Sequence, residues 1–127
     1  MLDTSVAVDL GRLDPSHLPV EMAISTLTLA ELAGGPHGAD NELERSRRQR
    51  HLQDVASHFQ ALSFDPQCAY AYGWVYTAVE AVGRKPRGAR MVDLMIAATA
   101  LAHDLPLYTR NARDLRGLED LIEIVVC

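Results

Sequence analysis

Apolar residues along this chain come in short bursts set between longer amphipathic stretches, a pattern that predicts strands alternating with helices. Met1 to Asp3 reads as the end of a very short strand. Thr4 or Ser5 is suited to cap the helix that follows, with Val6, Ala7 and Leu10 as its apolar positions. Asp14-Pro15 breaks that pattern. Met22-Ala23-Ile24 predicts a second strand, and Ser25 or Thr26 caps a helix through Ala33 that Gly34-Gly35-Pro36 ends. Residues 39–61 carry a long helical pattern, with Leu43, Leu52, Val55 and Phe59 on one side and charges on the other. Leu62-Ser63-Phe64 predicts a third strand, and Asp65-Pro66 opens an Ala- and Tyr-rich helix over residues 67–82. A basic loop, Gly83-Arg84-Lys85-Pro86-Arg87-Gly88, precedes the clearest helix, residues 89–103. Leu105-Pro106-Leu107-Tyr108 leads into a fourth strand, and residues 122–126 give a fifth. Such an order predicts an α/β layer fold with a central, mostly parallel sheet of four to five short strands.

The bulk numbers narrow the class. At 127 residues, 48% hydrophobic and 23% charged, the chain fits one soluble domain spanning 1–127, with enough length to bury a core. Aromatics are few (6%), so Ala, Val and Leu fill most of the interior. Cys68 and Cys127 form neither a CxxC unit nor a metal-ligand pair and read as a buried thiol and a chain-end residue. Without a disulfide framework, a reducing cytoplasm fits. Acids at Asp3 and Asp9 exclude a signal peptide at the start. Uncharged stretches such as residues 66–79 fall short of the roughly 20 residues a membrane span needs. The net charge of −5 argues against a nucleic-acid partner, unless some of the acids are gathered at a cation.

Three acids stand beside apolar runs in separate segments, and a polar motif follows near the end. Asp3 ends the first strand, the edge where open parallel sheets bind ligands; it is equally suited to cap the helix start. Asp93 shares a helical face with Ile96, Ala97 and Ala100, so it is either a first-turn acid favoured by the helix dipole or a member of a site. Glu31 lies late in its helix, where the dipole opposes it; solvent or a cation must compensate. Asn111 and Asp114 follow the fourth strand, as ligands or as caps. The Thr109 hydroxyl serves a bound phosphate or water, or bonds the turn. Two or three such carboxylates can hold one or two Mg²⁺ or Mn²⁺ ions, which prefer oxygen donors. The five histidines show no HxH or HExxH spacing and no Ser/His pair is evident, while His103 reads as a helix-end residue interacting with the dipole.

The order Asp3-Thr4-Ser5-Val6, Thr28-Leu29-Ala30-Glu31-Leu32, Asp93-Leu94-Met95-Ile96-Ala97-Ala98-Thr99-Ala100-Leu101 and Thr109-Arg110-Asn111-Ala112-Arg113-Asp114-Leu115 resembles a PIN domain. More narrowly, it resembles the VapC-type toxins of bacterial toxin–antitoxin modules, over essentially the whole chain. The resemblance implies a three-layer α/β/α sandwich. It implies a Mg²⁺- or Mn²⁺-dependent endoribonuclease acting on structured RNA such as tRNA or ribosomal RNA, and a homodimer. It also implies a cognate VapB-type antitoxin that inserts a helix or tail near the acids. Carried over by residue, Asp3 and Asp93 match the direct metal ligands. Glu31 matches an acid that helps hold metal or orients water, and Asp114 matches the fourth acidic position. Asn111 occupies a neighbouring slot that is acidic in some relatives, so either Asn111 or Asp114 completes the set. Thr4 and Thr109 are expected to support it. The chain opens only two residues before Asp3, so the first strand is short or trimmed.

Basic residues then take a role. Arg45, Arg47, Arg48 and Arg50 form a dense run that is a solvated helix face paired with Glu42 and Glu44, an RNA contact, or an antitoxin-facing surface. Arg87 and Arg90, close before Asp93, are expected to meet RNA phosphates, with Arg110. Tyr70, Tyr72, Trp74 and Tyr76 supply core and dimer surface or a base-stacking platform. A catalytically silent interaction module on the same fold is the alternative function. A receiver-type phosphotransfer domain fits poorly, because no lysine follows the last strands.

Overall fold

The computed structural model describes residues 1–127. Four three-residue strands, β1 (Ala23–Ser25), β2 (Gln60–Leu62), β3 (Leu107–Thr109) and β4 (Ile124–Val126), pair in parallel as β1–β2 and β3–β4. One residue joins the two pairs. Leu2 makes parallel bridges to both Ile24 and Tyr108, with its N–H on the Ala23 carbonyl at 2.8 Å and the Tyr108 N–H on the Met1 carbonyl at 2.9 Å. The sheet therefore runs β2-β1-Leu2-β3-β4, and the expected first strand is reduced to a single bridging residue.

Five helices flank the sheet: α1 (Thr4–Asp9), α2 (Thr26–Gly34), α3 (Glu42–His58), α4 (Pro66–Ala81) and α5 (Arg90–Ala102). Successive strand residues point to opposite faces, and the core divides accordingly. Met1 and Leu107 belong to a cluster with Ala71, Val75 and Val79 of α4 and Leu94, Ile96 and Ala97 of α5. Leu2 and Ile24 belong to a second cluster with Val6 and Ala7 of α1, Leu32 of α2 and Val55 of α3. Helices thus cover both faces, giving the expected three-layer sandwich. No helix is long and apolar enough to cross a membrane.

Several boundaries differ from expectation, each for a local reason. Of the candidates Asp3, Thr4 and Ser5, it is Asp3 that caps α1, because its carboxylate accepts from the Val6 N–H at 3.1 Å. The sequence offers Ser25 or Thr26 for α2, and the structure selects Ser25, which accepts from the Thr28 N–H at 3.1 Å. The α2 helix ends at its glycines, one residue past Ala33, but without a left-handed cap. Gly35 stays right-handed and the chain continues into a 3₁₀ turn, Gly35–Gly38. The long helix is shorter than residues 39–61, because Asn41 caps its start (2.8 Å to the Glu44 N–H) and Phe59 turns extended. The third strand accordingly forms at Gln60–Leu62, two residues early, where Ala61 pairs with Ile24. Leu43, expected on the apolar side, is exposed, while Val55 is buried.

Candidate functional site

All the expected acids sit at one rim of the sheet, just past the carboxyl ends of its strands. Asp3 follows the Leu2 bridge, and Glu31 rides on α2, which begins directly after β1. Asn111 and Asp114 follow β3, and Asp93 is in the first turn of α5. Together they line a cavity of ≈ 230 Å³ with Thr4, Ser5, Leu107 and Leu115. Asp93 registers the crowding. Burial first, then the charges of Glu31, Asp114 and Asp3, push its carboxyl up from 3.8 to about 6.

Each acid is adjacent in sequence to a leucine packed inside. Leu2, Leu32, Leu94 and Leu115 are 0%, 7%, 0% and 3% exposed, beside Asp3, Glu31, Asp93 and Asp114. Leu2 and Leu32 belong to one core cluster, Leu94 and Leu115 to the other. The site therefore lies where the two halves of the core meet.

Hydroxyls hold the acids in place. Ser5 donates to Asp3 Oδ1 at 2.6 Å and accepts from the Arg110 N–H at 3.0 Å, which couples the α1 start to the turn after β3. Thr4 donates to Glu31 Oε2 and lies 3.1 Å from the hydroxyl of the buried Thr28. Ser5 and Thr28 were not expected here. Their signal is Thr28 three residues before Glu31 on one helix, and Ser5 within the run Asp3-Thr4-Ser5. Thr109 is buried and accepts from the Asn111 N–H at 3.0 Å, so it bonds the turn. Asn111 is exposed and Asp114 half-buried, and both line the cavity. The donor set is oxygen only, mutually repelling and partly desolvated, which fits a hard divalent cation such as Mg²⁺ or Mn²⁺.

The basic residues are placed less uniformly. Arg110 is ion-paired with Asp9 of α1. Arg84 donates to the Arg113 carbonyl. Arg45 pairs with Glu42 at 2.7 Å and Arg48 with Glu44 at 3.1 Å, the expected solvated helix pairs. Arg48 also donates to the Gly35 carbonyl at 2.9 Å. A groove of ≈ 430 Å³ lined by Arg12, Arg47, Arg48 and His51 shares Thr4 and Glu31 with the acid cavity. Arg87 and Arg90 are not among the residues lining the acid cavity. Arg90 stands one helical turn before Asp93, and its buried Nε has no hydrogen-bond partner. On α4, Tyr70 and Trp74 are exposed, while Tyr72 packs edge-to-face on Tyr76 and bonds the Pro86 carbonyl at 3.1 Å.

A parallel sheet between helix layers, with four acids at its carboxyl rim, defines a class, and comparison with known proteins gives it a name. The PIN domain family model matches residues 1–120. Ribonuclease VapC5 of Mycobacterium tuberculosis is 34% identical over 114 residues, 87% of this chain and 82% of that protein. Ribonuclease VapC2 of Rickettsia felis is 29% identical over 101 residues, 80% and 71% of the two chains. The crystal structure of VapBC-5 from Mycobacterium tuberculosis, a member of the VapBC family of toxin–antitoxin systems, superposes with a TM-score of 0.83 at 30% identity, covering 98% of this chain and 94% of that one. The chain belongs to the PIN domain family, in its VapC branch.

Metal-free protein should become more stable on Asp93→Asn at neutral pH. The Asp93 carboxyl is pushed up to about 6 from 3.8, so between those values the folded chain keeps a proton that the unfolded chain has released. Stability then falls as pH rises through that window. Asparagine keeps the volume and removes the charge. Urea unfolding at pH 7.5 should show a gain of about 1–2 kcal/mol after allowing for solvent screening, shrinking toward pH 4. A loss at pH 7.5 would contradict crowding of the acids.

Proposed function

We propose that this chain is the ribonuclease toxin of a toxin–antitoxin pair, a Mg²⁺- or Mn²⁺-dependent endoribonuclease that hydrolyses structured RNA of the tRNA or ribosomal class. One observation carries the reading: four carboxylates from separate segments share one small cavity, where burial and then the charges of the other three raise the pKa of Asp93. The names of the matched ribonucleases and the VapBC assembly support it. Asp3 and Asp93 would hold the ion directly, with Asp114 and Glu31 completing the anionic shell and Asn111 beside them. The ion's chemistry there is to offset phosphate charge and acidify water.

The chain's own residues do the rest. Ser5 and the Val6 N–H fix Asp3 from two sides. Thr4 occupies Oε2 of Glu31, leaving Oε1 to orient the attacking water and take its proton. The water oxygen bonds to phosphorus, the bond to the leaving ribose oxygen breaks, and solvent protonates that oxygen. Arg87 and Arg90 would position the RNA backbone beside this rim, as the cations that stand shortly before Asp93 in the chain. Arg110 contributes there only insofar as it releases Asp9.

The partner in this reading is a VapB-type antitoxin whose tail covers the rim. An arginine from such a tail would pair with the acids in place of the metal. The exposed Tyr70 and Trp74 supply the surface of a homodimer. A cytoplasmic setting accords with the two free thiols.

Two measurements test this. Cleavage of folded RNA under Mn²⁺ titration should fall at least about 100-fold in Asp93→Asn, because losing a carboxylate that touches the ion costs more than losing a group that only orients one. Full activity in that variant would overturn the metal role. Alanine at Arg87 and Arg90 together should weaken RNA binding and lower the slope of log K against log salt by roughly 1–2, whereas an unchanged slope would refute those phosphate contacts.

A further inference from the structure

The tightest grouping of metal-capable donors lies away from the acid rim. One ligand atom each from Asp65, Cys68 and His103 falls within 4.8 Å of the others. In sequence Cys68 reads as a buried thiol and His103 as a helix-end residue. Both readings hold, since Cys68 is fully buried and His103 is the C-cap of α5. What the sequence does not reveal is that packing of α4 against α5 brings the start of one to the end of the other.

We propose that Asp65, Cys68 and His103 form a zinc site that clamps the α4 start to the α5 end. Helix capping explains only part of the arrangement. Asp65 uses Oδ1 to cap α4, accepting from the Cys68 N–H at 3.0 Å, which leaves Oδ2 unassigned by the cap. The Cys68 thiol has a 3.6 Å contact to the Ser63 carbonyl and further contacts to the Asp65 carboxylate and the Thr99 hydroxyl. The His103 ring is exposed. Capping needs neither a thiol nor an imidazole at this spot, and zinc uses both.

The donor chemistry selects the ion. A thiolate, an imidazole and a carboxylate suit Zn²⁺, whereas Mg²⁺ and Ca²⁺ require oxygen shells. Zinc bonds of about 2.0–2.3 Å place tetrahedral donors roughly 3.3–3.7 Å apart, a contraction that small side-chain rotations supply. Three protein ligands leave the fourth position to water, reachable because Asp65 and His103 are exposed. Binding converts Cys68–SH and Zn²⁺ into the zinc thiolate plus one released proton. Thiolate, carboxylate and Zn²⁺ then sum to zero charge, which suits a half-buried place. Because binding releases that proton, affinity should fall as pH is lowered. The site is independent of the nuclease reading, because none of its residues lines the acid cavity.

Co²⁺ is the probe, since a thiolate ligand gives it a near-ultraviolet charge-transfer band that oxygen ligands do not. Reduced whole protein should develop this band with one equivalent of Co²⁺, and Zn²⁺ but not Mg²⁺ should bleach it. The band should vanish in Cys68→Ala, and Co²⁺ affinity should fall at least about 10-fold in His103→Gln, an exposed change that spares the core. Asp93→Asn and Cys127→Ala should keep it. Zn²⁺ at about 100 times Kd should raise the thermal midpoint by roughly 5–10 °C, and His103→Gln should cancel most of that rise. No band in the wild type, a band surviving in Cys68→Ala, or full affinity in His103→Gln would each overturn the proposal.

Discussion

Everything at the rim depends on a contest between burial and charge. Four carboxylates crowd one small cavity, and their repulsion at a partly wet surface is on the order of a few kcal/mol. Against it stand the leucines next to them, Leu2, Leu32, Leu94 and Leu115, each worth about 2–3 kcal/mol when taken from water. The anchoring holds the backbone on either side of the acids and so opposes their separation. The residual strain shows in the raised pKa of Asp93. In the proposed reading, a divalent ion at this rim would relieve that strain.

The seam explains the placement. Leu2, of one core cluster, alone bridges the two strand pairs, and its neighbour Met1 belongs to the other cluster. Because Asp3 is the next residue, the hinge of the sheet and the first acid of the site are fixed by the same backbone bonds. Thr4 and Ser5 extend this order outward, one to Glu31 and the other to the turn carrying Asn111. Local structure and chemistry are therefore not separable at the α1 start.

Much of this was legible in the sequence. The alternation of strand and helix, the acids Asp3, Glu31 and Asp93 beside apolar runs, Asn111 or Asp114 after the fourth strand, and helix starts at Ser25 or Thr26 and at Asp65-Pro66 all follow from local chemistry, because each is signalled within a few residues. Three-residue strands carry too little alternation to fix their bounds, so β2 and the long helix before it were misplaced. The hydroxyl contacts of Ser5 and Thr28 depend on how elements pack, as does the meeting of Cys68 with His103. The arginines divide on the same ground. Those of α3 pair with Glu42 and Glu44 as helical spacing dictates. The ion pair of Arg110 with Asp9 requires β3 to lie beside α1, which no local pattern encodes.

The central claim is that these anions repel one another until a cation joins them. Carbon-13 titration of the Asp93 carboxyl in whole protein, with and without Mg²⁺, tests it most directly. Without metal the midpoint should lie at about 6, fall only in part in Glu31→Gln because burial is the larger cause, and drop further with saturating Mg²⁺ in the wild type. An ordinary midpoint in the metal-free protein, or one that Mg²⁺ leaves unmoved, would contradict the account.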